Sequence, residues 1–162
     1  MRSVLKMLLL IAVAHSVALA QSTGDRRGWG YGLVGVGGTS SGSVATLHVG
    51  AGGEGLVYKG LGLGAEVVYM GPFERFGSGF GILSTDVSYH FAGHSLRQRL
   101  VPFVTGGYSM GFRSGVVGGG NVGGGVQYWV RPHVGLRFEF RDHIFSSDSP
   151  HFYAFRFGIS FR

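Results

Sequence analysis

Along most of the chain apolar and polar positions alternate with period two, the spacing of a β-strand whose successive side chains leave opposite faces. The clearest case is GLRFEFR, residues 135–141. Val134, Leu136, Phe138 and Phe140 fall on one face, while His133, Gly135, Arg137, Glu139 and Arg141 fall on the other. The last segment, FYAFRFGISFR, repeats the arrangement, with Tyr153, Phe155, Phe157, Ile159 and Phe161 alternating with Ala154, Arg156, Gly158 and Ser160. Bulky apolar groups on one side and charged or small groups on the other give this final pair two chemically distinct faces.

Alternation and turn signals together predict eight strands, at 28–38, 44–53, 60–71, 79–91, 100–112, 121–130, 133–144 and 152–161. The third opposes Leu61, Leu63, Ala65, Val67 and Tyr69 to Gly62, Gly64 and Glu66. The fourth sets Leu83, Val87, Tyr89 and Phe91 against Ser84, Asp86, Ser88 and His90, and the sixth sets Val126, Tyr128 and Val130 against Gly125, Gln127 and Trp129. In the fifth, Val101 and Phe103 load the second face as well, which leaves its parity open. EGLVYK and RSGVVGGG read as connections, and GGGNVGGG at 118–125 reads as a flexible loop entering a strand. No long linker interrupts the series, so residues 21–162 are expected to form one all-β domain.

A soluble sheet and a membrane barrel both produce this alternation, and they differ in which face is outside. The amino end changes the balance. Arg2 and Lys6 precede the apolar run 7–14, and Ala18-Leu19-Ala20 supplies a small-x-small cleavage pattern, so residues 1–20 read as a secretory signal peptide. The apolar run is shorter than the ~20 residues of a membrane-spanning helix. Removing Arg2 and Lys6 from a formal net charge of +6 leaves +4, too mild and too scattered to point to nucleic acid. There is no cysteine, so an exported chain must be held by its fold without disulfides. Thirty-two glycines stand among two tryptophans, seven tyrosines and thirteen phenylalanines, a mixture that suits strands packing closely rather than a low-complexity linker.

On the polar face, Glu66, Asp86 and Glu139 supply three negative charges, and Arg137, Arg141 and Arg156 supply three positive ones. A zero sum is what a closed interior requires, because a buried charge left unpaired costs about 3–5 kcal/mol. The opposite faces carry no charge at their middles, where an Arg or Lys in a bilayer would cost about 2–4 kcal/mol.

Eight strands, an export leader and the terminal pattern of Tyr153, Phe155, Phe157, Ile159 and Phe161 resemble the outer-membrane β-barrel superfamily, in particular the eight-stranded barrels of the OmpA transmembrane domain, OmpX and opacity-protein type. Members of that superfamily usually finish on alternating aromatics and a terminal phenylalanine read by the barrel assembly machinery. Here Arg162 follows Phe161. The resemblance implies an antiparallel up-and-down transmembrane β-barrel of eight strands in the cell outer membrane, monomeric and with both ends in the periplasm. Its partners would be outer-membrane lipids and, during biogenesis, the assembly machinery. Loops at 39–43, 72–78, 113–120 and 145–151 would face outward from the cell. The role would be structural or interactive, without catalysis, cofactor or metal. The alternatives are a small-solute pore and a soluble barrel that binds a lipophilic ligand with the faces reversed.

Other motifs carry less. GYGLVG at 30–35 and GAGGEG at 50–55 match a dinucleotide fingerprint, but no helix is predicted after either. His90 and His94 straddle a predicted turn and lack further ligands. Asp142, His143, Ser146, Ser147, Asp148 and His151 gather around the last loop in a composition a hydrolase could use. Eight-stranded lipid A deacylases carry a His-x-Ser-Asn type motif within a strand, and none is present here.

Overall fold

A computed structural model describes residues 28–40, 42–91, 99–145 and 151–162. The proposed leader 1–20 lies outside the described residues, as do His94, Ser146, Ser147 and Asp148. Eight strands pair antiparallel in sequence order, and the last returns to the first: β1 (Gly28–Thr39), β2 (Gly42–Tyr58), β3 (Leu61–Pro72), β4 (Phe80–His90), β5 (Leu100–Phe112), β6 (Val116–Arg131), β7 (Val134–Phe145) and β8 (Phe152–Phe161) form a closed barrel. Closure removes the edge strands that an open sheet would expose.

The predicted order and parities hold, while two strands are longer than expected. β2 runs to Tyr58 rather than residue 53, taking in most of the segment read as a connection. Lys59 and Gly60 then make a two-residue turn with φ of 33° and 89°, the positive-φ geometry whose twist suits a tight hairpin. β6 begins at Val116 rather than 121, so the glycine tract 118–125 is strand and not loop. Neighbouring side chains explain why: Tyr108 lies over Gly118, and the Arg141 side chain comes within 3.1 Å of where a Cβ on Gly123 would stand. The tract is ordered by the large groups on either side of it. The segment 73–78 folds as a 3-10 turn, held by the Tyr69 hydroxyl donating to the Phe76 carbonyl at 2.9 Å.

Alternate strand ends define two rims. The connections after β1, β3, β5 and β7 share the loop end, and the start of β1 and the finish of β8 share the terminal end with the turns at 59–60 and 132–133. β5, ambiguous in sequence, faces Val101, Phe103, Thr105 and Ser109 inward, with Val104, Tyr108, Met110 and Phe112 outward. The outward wall is apolar around the barrel, including Val34, Val49, Leu63, Val87, Val122 and Phe140. On the final pair Phe138 meets Phe157 and Phe140 meets Phe155, with ring centres 5.0 and 5.2 Å apart.

Inward and outward glycines differ in the space they leave. A Cβ at Gly125 would run into the Phe138 carbonyl and Glu139 Cα, whereas the outward Gly32 has nothing within 4 Å. Gly125→Ala is therefore expected to destabilise the folded barrel by about 1–3 kcal/mol, and Gly32→Ala to leave it nearly unchanged. Urea midpoints of the barrel's folded band on unheated gels measure both.

Candidate functional site

Every long charged side chain in the barrel interior stands opposite a glycine on an adjacent strand. Glu66 pairs across to Gly52, Asp86 to Gly64 and Gly107, and Glu54 to Gly64. Arg137 faces Gly158, Glu139 faces Gly125, Arg141 faces Gly123 and Arg156 faces Gly35. An eight-stranded barrel is just wide enough for its side chains to fill, so guanidinium and carboxylate groups reach one another only if the facing positions are small.

All six charges singled out in the sequence meet in this interior and are buried. Glu139 is the hub. Its carboxylate accepts from Arg137 Nε at 2.8 Å, Arg141 Nε at 2.6 Å and Arg156 Nη2 at 2.8 Å. Arg156 also grips Glu66 with two nitrogens, at 2.6 and 3.1 Å, and Tyr31 donates its hydroxyl to the same carboxylate at 3.0 Å. Arg141 reaches Asp86 at 3.0 Å and donates to Asn121 Oδ1 at 2.7 Å. Charge-assisted bonds of this kind are the strong ones, and the forked geometry of Arg lets one residue serve two acids.

The sequence reading missed Glu54, which changes the sum. Glu54 is 7% exposed and faces inward on the part of β2 read as a connection. With it the interior holds, among the described residues, four acids against three arginines. Arg137 Nη1 donates to Glu54 at 3.2 Å, His90 Nε2 lies 2.6 Å from it, and Ser88 bonds to it as well. Continuing the inward parity of Thr46 and His48 would have reached Glu54, but the glycines at 50, 52, 53 and 55 break the alternation there.

Apolar groups lie beyond the charges at both rims. At the terminal end Trp29 meets Trp129 edge-on at 6.0 Å, His90 stacks on Phe103 at 5.3 Å, and the Arg162 guanidinium lies 3.9 Å from the Trp129 ring centre. At the loop end Met70, Ile82 and Phe145 form a second cluster with Phe80 and Phe152 packed on it. Between them a void of about 10 Å³ lies among Tyr31, Asp86, Thr105 and Arg141, about the size of one water molecule.

The remaining candidates separate. The fingerprint at 30–35 lies within β1 and the one at 50–55 within β2, with no helix after either. His90 is inside the barrel against Glu54. Around the last loop, His143 is buried with Nδ1 3.0 Å from Ser109, whereas His151 and Asp142 pair at 2.9 Å on the outer rim. Ser40 accepts from the backbone N–H of His151 and does not meet its ring, so the described residues around this loop form no serine–histidine–acid relay. Nor do three histidine or acidic side chains converge there as a metal site. Tyr153, Phe155, Phe157, Ile159 and Phe161 all point outward, each between 38 and 66% exposed.

No protein-family model matches the chain, and no curated protein matches it. Solved structures do. The N-terminal β-barrel domain of Pseudomonas aeruginosa OprF superposes with a TM-score of 0.61 at 12% identity, covering 83% of this chain and 98% of that one. Neisserial surface protein A gives 0.62 at 16%, covering 83% and 94%. Ail, the attachment invasion locus protein of Yersinia pestis, gives 0.56 at 12%, covering 83% and 95%. The fold is that of the eight-stranded outer-membrane β-barrels.

Removing the hub takes one acid from three guanidinium groups at once, leaving Arg137 with Glu54, Arg141 with Asp86 and Arg156 with Glu66. Glu139→Gln is expected to lower the unfolding free energy by about 1.5–3 kcal/mol, the scale of lost hydrogen bonds to a charged group. Glu74→Gln, on the 3-10 turn, serves as the exposed comparison and should leave the urea midpoint in place.

Proposed function

We propose that the protein is an integral outer-membrane barrel with a structural or surface-interaction role, neither an enzyme nor an open pore. One observation carries this reading: an apolar outer wall encloses an interior whose charges are paired and which is closed by side chains at both rims. Leaving so many bulky apolar groups in water is unfavourable, so an outer wall of this kind suits a surrounding medium that is itself apolar. Outer-membrane lipids are the partner this wall fits, and Tyr153, Phe155, Phe157, Ile159 and Phe161 are the lipid-facing series and the segment offered to the assembly machinery. The barrel closes on itself within one chain, which supports a monomer. A soluble carrier with reversed faces would bury the aromatics and expose the arginines, the opposite of the arrangement found.

In this reading the extracellular end is the loop end. Among the described residues it includes the 3-10 turn 73–78 with exposed Phe73, the turn 113–115 and the His151–Asp142 pair.

Planar-bilayer recording of the reconstituted protein is expected to show no sustained open-channel steps, and stable unitary conductance would replace the sealed reading with the pore. Phe157→Arg places a cation on the wall at a cost of about 2–4 kcal/mol. It should reduce insertion into vesicles, and normal insertion would mean that the outer wall does not face lipid.

A further inference from the structure

Above the Met70–Ile82–Phe145 cluster the loop end opens into a cup of about 390 Å³. That is within the ~300–1,000 Å³ of small-molecule sites. Phe80, Phe112, Val117, Phe145 and Phe152 line it, one from each of β4 to β8. Its floor is shut, since Met70 and Ile82 are fully buried beneath Phe145. The cup is therefore a dead-ended site and not a stretch of passage.

Among the described residues one charged residue belongs to the lining, Arg113, in the turn where its own backbone N–H donates to the Gly115 carbonyl at 3.2 Å. Among the described residues its guanidinium enters no ion pair. Val116, 75% exposed, and Phe112 carry the apolar lining over the rim onto the outer wall. A hydrocarbon chain moving from a lipid layer into the cup would meet no polar barrier on that side.

We propose that the cup binds the chain of a long-chain fatty acid, with the carboxylate held by Arg113. The apolar walls ask for a chain. The single cation asks for a single negative charge, and a planar guanidinium matches a carboxylate with two parallel hydrogen bonds. A phosphate monoester, carrying about −1.5 to −2 charges, would leave part of its charge unmatched there. Gly111 faces the cup, and a Cβ on it would lie 3.2 Å from Val117 and 3.4 Å from Phe80. A larger side chain at that position therefore occupies the binding space.

The inference rests on the membrane-inserted reading above, because the cup must stand beside a lipid layer. The protein in zwitterionic-lipid nanodiscs is irradiated with a diazirine-bearing hexadecanoic acid, and the labelled peptides are mapped. Insertion is scored on the same samples by heat-modifiable gel mobility. Label is expected at 111–117, 145 and 152, displaced by unlabelled hexadecanoate and not by hexadecanol. Arg113→Gln should raise the displacing concentration about ten-fold, the scale of a lost charge-assisted hydrogen bond. Gly111→Phe should remove the cup label, with Val117→Trp as a second filling variant should the first not fold. An inserted barrel labelled only along its outer wall, or labelled equally after the cup is filled, overturns the cup. Equal displacement by the alcohol overturns the role of Arg113. A chain that fails to insert counts against the membrane reading instead.

Discussion

The Glu139 carboxylate, accepting hydrogen bonds from three guanidinium groups, is the contact on which the interior depends. Three like charges brought together in a low-dielectric space repel one another unless acids lie between them. Glu139 lies between Arg137, Arg141 and Arg156, while Glu66, Asp86 and Glu54 take the nitrogens it leaves. Because these strands have period two, drawing the charges inward sends Phe138, Phe140, Phe155 and Phe157 to the other side. Parity thus ties the polar interior to the apolar wall, and neither can change alone.

Glycine makes the arrangement spatially possible. The partners across from Arg137, Glu139, Arg141 and Arg156 are Gly158, Gly125, Gly123 and Gly35. A barrel of eight strands leaves little room along its axis, so each long side chain lies over a residue that has none. The glycine content that would suggest a linker in another chain is here the floor of an ion-paired core. The same logic orders β6, whose glycines admit Arg141 on the inside and Tyr108 on the outside.

Polarity changes along the axis as well as across the wall. Trp29, Trp129 and Phe103 close the terminal end, ion pairs fill the middle, and Met70, Ile82 and Phe145 close the loop end. Above that second closure the space widens, because Gly111 contributes no side chain and β5 and β6 turn back through Ser114 and Gly115. The cup and the sealed interior are two consequences of one apolar layer, which serves as floor to the first and lid to the second.

Strand number and order were legible from the sequence, as was the parity of β3, β4, β6, β7 and β8, since alternation survives in any strand with one polar and one apolar face. So were six of the seven charges of the interior network, each next to at least one apolar residue on the same strand. The extents of β2 and β6 were not, because glycine carries no polarity to alternate. Glu54 was lost for the same reason, and with it the true charge balance. By itself the sequence determined which side chains share a face, a local property of backbone geometry. Only the closed barrel decided which glycine lies beneath which arginine and which acid joins which base. Those contacts run between residues as far apart as Glu66 and Arg156, 90 positions along the chain, and follow from register and curvature, which no single strand encodes.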